Sequence, residues 1–139
     1  MDARVETFQG MEARAMSTNP IHEINELDFD AEVLEAGVPV LVEFTAEWCP
    51  PCRALAPILH KVAEEGAGRL KVVAVNGDRS PALARRFGIR GLPTVVAFAG
   101  GKEVARHVGL TTKEKLLKLV EGRELSAGAR RDRAAPSPL

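Results

Sequence analysis

Val38-Pro39-Val40-Leu41-Val42-Glu43-Phe44-Thr45-Ala46-Glu47-Trp48-Cys49-Pro50-Pro51-Cys52-Arg53 is the stretch from which the rest of the chain can be read. Residues 38–45 form a nearly continuous apolar, β-branched run, broken only by Glu43. Such a run predicts a strand covered on both faces, as in a parallel sheet between helices. Residues 54–65 then place Leu55, Ile58, Leu59 and Val62 on one helical face. Both cysteines of the protein and its single tryptophan therefore fall where a strand ends and a helix begins. A helix N-terminus carries partial positive charge and free N–H groups, and both stabilise a thiolate. The thiolate is the form that attacks disulfides. Two cysteines three residues apart in a first helical turn can also close a disulfide on each other. The motif is a redox site in outline.

Around that centre, residues 21–24 read as a short edge strand. Asp28 reads as the N-cap of a helix with Phe29, Val33 and Ala36 on one face and Gly37 as its stop. Downstream of the motif, Pro57 interrupts the helix and is expected to kink it, and Gly66 and Gly68 end it. Residues 70–76 form a second central strand. Ser80-Pro81 opens a short helix that Gly88 closes. Residues 94–98 form another strand, Gly100-Gly101 a tight turn, and residues 103–108 the antiparallel return. Thr111 to Glu114 fits a capping box, opening a last helix with Leu116, Leu117 and Val120 inward. The order β-α-β-α-β-α-β-β-α predicts an α/β, three-layer α/β/α sandwich around a central mixed β-sheet.

Of the 139 residues, 1–20 show no hydrophobic period and read as a disordered N-terminal extension, within which Met11 and Met16 are alternative starts. Residues 21–122 form the domain, and 123–139, rich in Ala, Gly, Arg, Ser and Pro, read as a disordered C-terminal tail. Lys plus Arg equals Asp plus Glu, 19 each. That balance argues against a nucleic-acid or membrane-surface binder, which would carry a basic excess. No apolar stretch approaches a membrane span, and no secretory h-region is visible near the start. The expected location is cytoplasmic, where a lone cysteine pair is more often catalytic than structural.

The residues named so far carry a family resemblance. Residues 40–52, through Trp48-Cys49-Pro50-Pro51-Cys52, resemble the active-site strand and turn of the thioredoxin family. Phe87-Gly88-Ile89-Arg90-Gly91-Leu92-Pro93-Thr94 resembles that family's second signature, at the usual distance downstream. The resemblance covers residues 24–121, the whole expected domain. It implies a bacterial-type thioredoxin fold and a thiol–disulfide oxidoreductase that reduces protein disulfides by cycling Cys49 and Cys52 between dithiol and disulfide. No bound cofactor and no metal are expected. The implied partners are an NADPH-dependent thioredoxin reductase as electron donor and disulfide-containing protein substrates. A monomer is expected, with no nucleic-acid or membrane partner and a role in electron transport and cell redox homeostasis.

Cys49, nearer the helix mouth and nearer solvent, is the expected nucleophile, and Cys52 the resolving thiol. The competing readings are two core cysteines or half of a zinc site. Zinc normally needs four ligands, and the nearest histidine, His60, lies two helical turns away. Glu43, among apolar neighbours, is expected to be buried, with a raised pKa, beneath Cys52, whose proton it could take. The alternative is a strand-end carboxylate that reaches water. The resemblance implies aspartate at this position, a lysine where Ala74 stands and a tryptophan where Thr45 stands, so the tuning of the site departs from the family pattern. It also implies a cis Leu92–Pro93 bond beside the disulfide, and a substrate surface of Trp48, Pro50, Leu92, Pro93, Val108 and Gly109; Val108 is otherwise plain strand core. Rival functions are a non-catalytic binding module using that surface, or a specialised thioredoxin-like reductase or isomerase.

Overall fold

A computed structural model of the chain describes residues 21–123; the extension and the tail expected at either end lie outside them, apart from Arg123. Five strands form one sheet: β1 (His22–Glu23), β2 (Val40–Thr45), β3 (Lys71–Asn76), β4 (Thr94–Ala99) and β5 (Lys102–Val108). Their spatial order is β1-β3-β2-β4-β5. β1 and β2 run parallel to β3, while β4 is antiparallel to both β2 and β5. The sheet is mixed, as expected. Parallel neighbours need long crossovers and β4 to β5 needs only a hairpin. Gly100 and Gly101 make that hairpin at φ 62° and 82°, which only glycine adopts without cost.

Strand alternation sorts the core into two layers. Val40, Val42 and Phe44 face one side with Val73, Val75, Val96 and Phe98. There they meet a short wide helical turn, α1 (Asp30–Leu34), and the helix α3 (Pro81–Arg86). Phe29 packs on Phe87 and Phe98, with ring centroids 5.2 and 5.6 Å apart. Leu41 faces the other side with Val72, Val95 and Ala97, under α2 (Pro50–Glu65) and α4 (Lys113–Leu119), which contribute Leu55, Leu59, Val62 and Leu116. β2 is buried on both faces because helices cover both, and this is why it reads as an unbroken apolar run.

Several expected boundaries move, each for a local reason. The helix after the motif starts at Pro50, not residue 54, because Pro50 and Pro51 occupy first-turn positions where a missing N–H costs nothing. Asp28 does not cap the first helix. The Asn25 carboxamide accepts the Leu27 and Asp28 N–H groups, and the Glu35 N–H reaches back five residues to the Asp30 carbonyl. The last helix is capped by Thr112, whose hydroxyl accepts the Lys115 N–H at 3.2 Å, so the Thr111–Glu114 box does not form. α2 continues through Pro57, which points outward.

Candidate active site

β2 ends at Thr45, and after Ala46, Glu47 and Trp48 the chain enters α2 with Cys49 as N-cap. Cys49 and Cys52 are joined as a disulfide, with Cα atoms 5.2 Å apart. The Cys52 N–H points at the Cys49 sulfur from 3.2 Å. Pro50 and Pro51 have no N–H to offer, so the third helical residue supplies the donor, as N-cap geometry allows. Exposure does not separate the two cysteines, contrary to expectation: Cys49 is 2% exposed and Cys52 3%. Ala46 and Leu92 pack over the pair. What distinguishes Cys49 is its place at the positive end of α2 with a donor on its sulfur.

Glu43 is 6% exposed, facing α2 from the middle of the sheet. Its neighbours across the strands are Ala74 and Val95. One carboxylate oxygen is buried without a hydrogen bond. Burial pushes its pKa up from 4.5 to about 7, because the charged form loses hydration. Glu43 and Cys52 line one groove of about 400 Å³ between α2 and the β1 edge. A strand-end carboxylate reaching water does not describe this residue.

The Leu92–Pro93 bond is cis, at the entrance to β4. The Pro93 carbonyl accepts the Gly109 N–H at 2.7 Å, and the Thr94 hydroxyl donates to the Gly91 carbonyl at 2.6 Å. Gly109 takes φ 98°, a left-handed turn at the end of β5 that a side chain would strain. The structure thus brings Leu92, Pro93 and Gly109 together, with Leu92 packed on the disulfide. Pro50 is exposed at the start of α2. Trp48 and Val108 are 65% and 59% exposed, so Val108 is not strand core.

Sequence reasoning missed four contributors. Asp78 accepts the Trp48 indole N–H at 2.8 Å, and the Asn76 carboxamide shapes the turn by accepting the Asp78 and Arg79 N–H groups. Asn76-Gly77-Asp78 is a visible turn signal, but nothing in it names a tryptophan 30 residues away. Leu110, 53% exposed just past β5, extends the apolar surface. Arg79 bridges Glu23 and Glu47 at the groove's rim.

A thiol pair at a helix mouth, a poised carboxyl and an apolar platform together suit exchange of one disulfide for another. Comparison with known proteins agrees. The thioredoxin family model matches residues 20–122. Thioredoxin 1 of Nostoc sp. is 42% identical over 99 residues, 71% of this chain and 92% of that protein. Thioredoxin of Synechocystis sp. is 39% identical over 106 residues, 76% of this chain and 97% of that one. The chloroplastic M-type thioredoxin of Chlamydomonas reinhardtii is 43% identical over 98 residues, 70% of each chain.

Proposed function

The chain belongs to the thioredoxin family and is a thiol–disulfide oxidoreductase working through Cys49 and Cys52; from that premise we propose which residue does each part of the work. Cys49 attacks the substrate disulfide, one substrate sulfur leaves, and a Cys49–substrate mixed disulfide remains. Cys52 then attacks Cys49. Its proton passes to Glu43, the Cys49–Cys52 bond forms, and the second substrate sulfur leaves and is protonated from solvent. The observation that carries this order is the Cys52 N–H aimed at the Cys49 sulfur. A donor there stabilises the thiolate at Cys49 and offers nothing to Cys52.

The substrate lies extended across Trp48, Pro50, Val108 and Gly109 and pairs with the Leu92 backbone ahead of Pro93, in the manner of an added strand. The exposure of Trp48 and Val108 beside a buried disulfide supports this. Electrons come from an NADPH-dependent thioredoxin reductase. We assign the protein to the cytoplasm as a monomer, on the balanced charge and on cysteines confined to one motif. The test is insulin reduction with NADPH and a thioredoxin reductase at catalytic protein levels. Cys49→Ser is expected to abolish turnover, and Cys52→Ser to accumulate mixed disulfides at Cys49. Mixed disulfides at Cys52 in the Cys49→Ser protein, formed equally fast, would reverse the assignment. Turnover no faster than in a Cys-free variant would favour a binding module.

A further inference from the structure

The groove beside the site has a feature that disulfide exchange between two cysteines does not require. Thr45, Ala56 and Ala74 leave space between α2 and the sheet, and Glu43, Cys52 and His60 line the same groove. Glu43 lines the groove, and one of its carboxylate oxygens is buried without a partner. Cys52, Ala56 and His60 are spaced four residues apart along α2, so they share one helical face. Ala56 is the small residue between the thiol and the imidazole. His60 is half-buried, and its side chain makes no hydrogen bond or ion pair among the described residues. The other charged groups around the groove are Glu23 on β1, Glu47 before the motif, Arg53 on α2 and Arg79 after β3. All four are engaged. Arg79 bridges Glu23 and Glu47, and Arg53 donates to the Glu47 carbonyl at 2.6 Å. His60 is therefore the one groove-lining base besides Glu43 that no partner holds, among the described residues.

We propose that His60 is a positioning residue for the proton of the second half-reaction: it takes the proton that Cys52 has given to Glu43 and hands it to solvent through the groove. The inference rests on Glu43 being the base. The balance is simple. Cys52 loses a proton to the Glu43 carboxylate as its sulfur attacks Cys49. The protonated Glu43 passes that proton, through solvent in the groove, to a ring nitrogen of His60. The imidazolium releases it outside, and Glu43 is again a carboxylate. An imidazole ring has two nitrogens, so it can take a proton on one side and give one up on the other. A groove of about 400 Å³ admits the solvent this needs, with polar partners on its walls. His60 touches no reacting sulfur and acts only through Glu43.

The experiment is single-turnover resolution of a Cys49–thionitrobenzoate mixed disulfide, whose leaving thiolate stays ionised, in dilute buffer from pH 6 to 8, with the thiolate read by absorbance and proton release by a pH indicator. His60→Ala is expected to slow proton release by about tenfold, less than the roughly 10²-fold that a direct acid–base group is worth, while the thiolate leaves at the wild-type rate. The first half-reaction should keep its rate. Added imidazole should restore proton release saturably, because removing the ring leaves room for it. The same imidazole should do nothing for a Glu43→Gln, His60→Ala double variant. Two results would overturn the proposal: unchanged proton release in His60→Ala, or slowed release that imidazole does not restore. Glu43→Gln separates this failure from that of the underlying reading. If the thiolate leaves slowly from Glu43→Gln while His60→Ala releases its proton at the wild-type rate, Glu43 remains the base and only the relay falls. If Glu43→Gln resolves as fast as wild type, both fall. Should His60→Ala fold poorly, His60→Asn removes the base with less loss of packing and decides by the same criteria.

Discussion

Glu43 is the residue at which stability and chemistry meet. Its pKa rises from 4.5 in the unfolded chain to about 7 on burial. Between those values the folded protein holds a proton that the unfolded chain has released. For this group, stability is greatest below pH 4.5 and is lost as pH rises through 7. A displacement of that size corresponds to something on the order of 3 kcal/mol by the upper end. Glu43→Gln should therefore be more stable than wild type at pH 8 by up to about that amount, less the cost of an imperfectly bonded amide. At pH 4.5 the advantage should vanish. Urea melts of both proteins at pH 5, 6, 7 and 8 check this. A parallel pH dependence in the two would mean that Glu43 is hydrated. The sequence marked Glu43 as an anomaly because its neighbours are apolar. It did not show that Ala74 and Val95 flank it, or that a groove opens beside it.

At the scale of the element, the first turn of α2 sets the poise of the couple. Cys49 is the N-cap, Pro50 and Pro51 follow, and the third helical N–H, from Cys52, reaches the sulfur. An N-cap acceptor is served by the second and third helical N–H groups, so the silent donor that matters is at Pro51, while one at Pro50 would point along the axis. Pro51→Ala should add a second donor to the Cys49 thiolate and loosen the turn that closes the disulfide. Both changes stabilise the dithiol relative to the disulfide and make the couple more oxidising. A gain of 1.4 kcal/mol for the dithiol would move the potential by about 30 mV. Equilibration against glutathione measures it, with Pro50→Ala expected to shift less. A Pro51→Ala couple as reducing as wild type would show that the donor count does not govern the potential. The composition of this turn was fully legible in the sequence. Its start was placed four residues late because the apolar face that marks the helix begins only at Leu55, whereas the first turn is built by Pro50 and Pro51, which are at home there.

On the scale of the whole molecule, both apolar layers close within residues 21–123. Phe29, Phe44 and Phe98 are buried on one face, and Leu41, Leu55, Leu59 and Leu116 on the other, by partners inside that range. A chain trimmed to residues 19–124 should therefore keep its melting temperature and its insulin-reductase rate. A loss of several degrees in calorimetry would mean that a removed segment packs on the domain. For a domain of this size that is a change of roughly 1 kcal/mol or more.

Sequence alone determined the element order, the two-faced burial of β2 and the place of the cysteines at a strand–helix junction, because these follow from local periodicity and turn chemistry. It also determined the chemistry of the thiol pair, since both thiols sit in the one stretch Cys49-Pro50-Pro51-Cys52. Tertiary structure decided what depends on residues far apart in the chain. Asp78 meets Trp48 only because β3 lies beside β2. Gly109 reaches Pro93 only because β5 returns along β4. Cys49 and Cys52 are equally buried because Leu92, 40 residues downstream of Cys52, folds over them. The space between Glu43 and His60 exists because small residues from β2, α2 and β3 converge there. No period or motif records such convergence, since each residue is unremarkable in its own segment and acquires its role from a neighbour that the fold supplies.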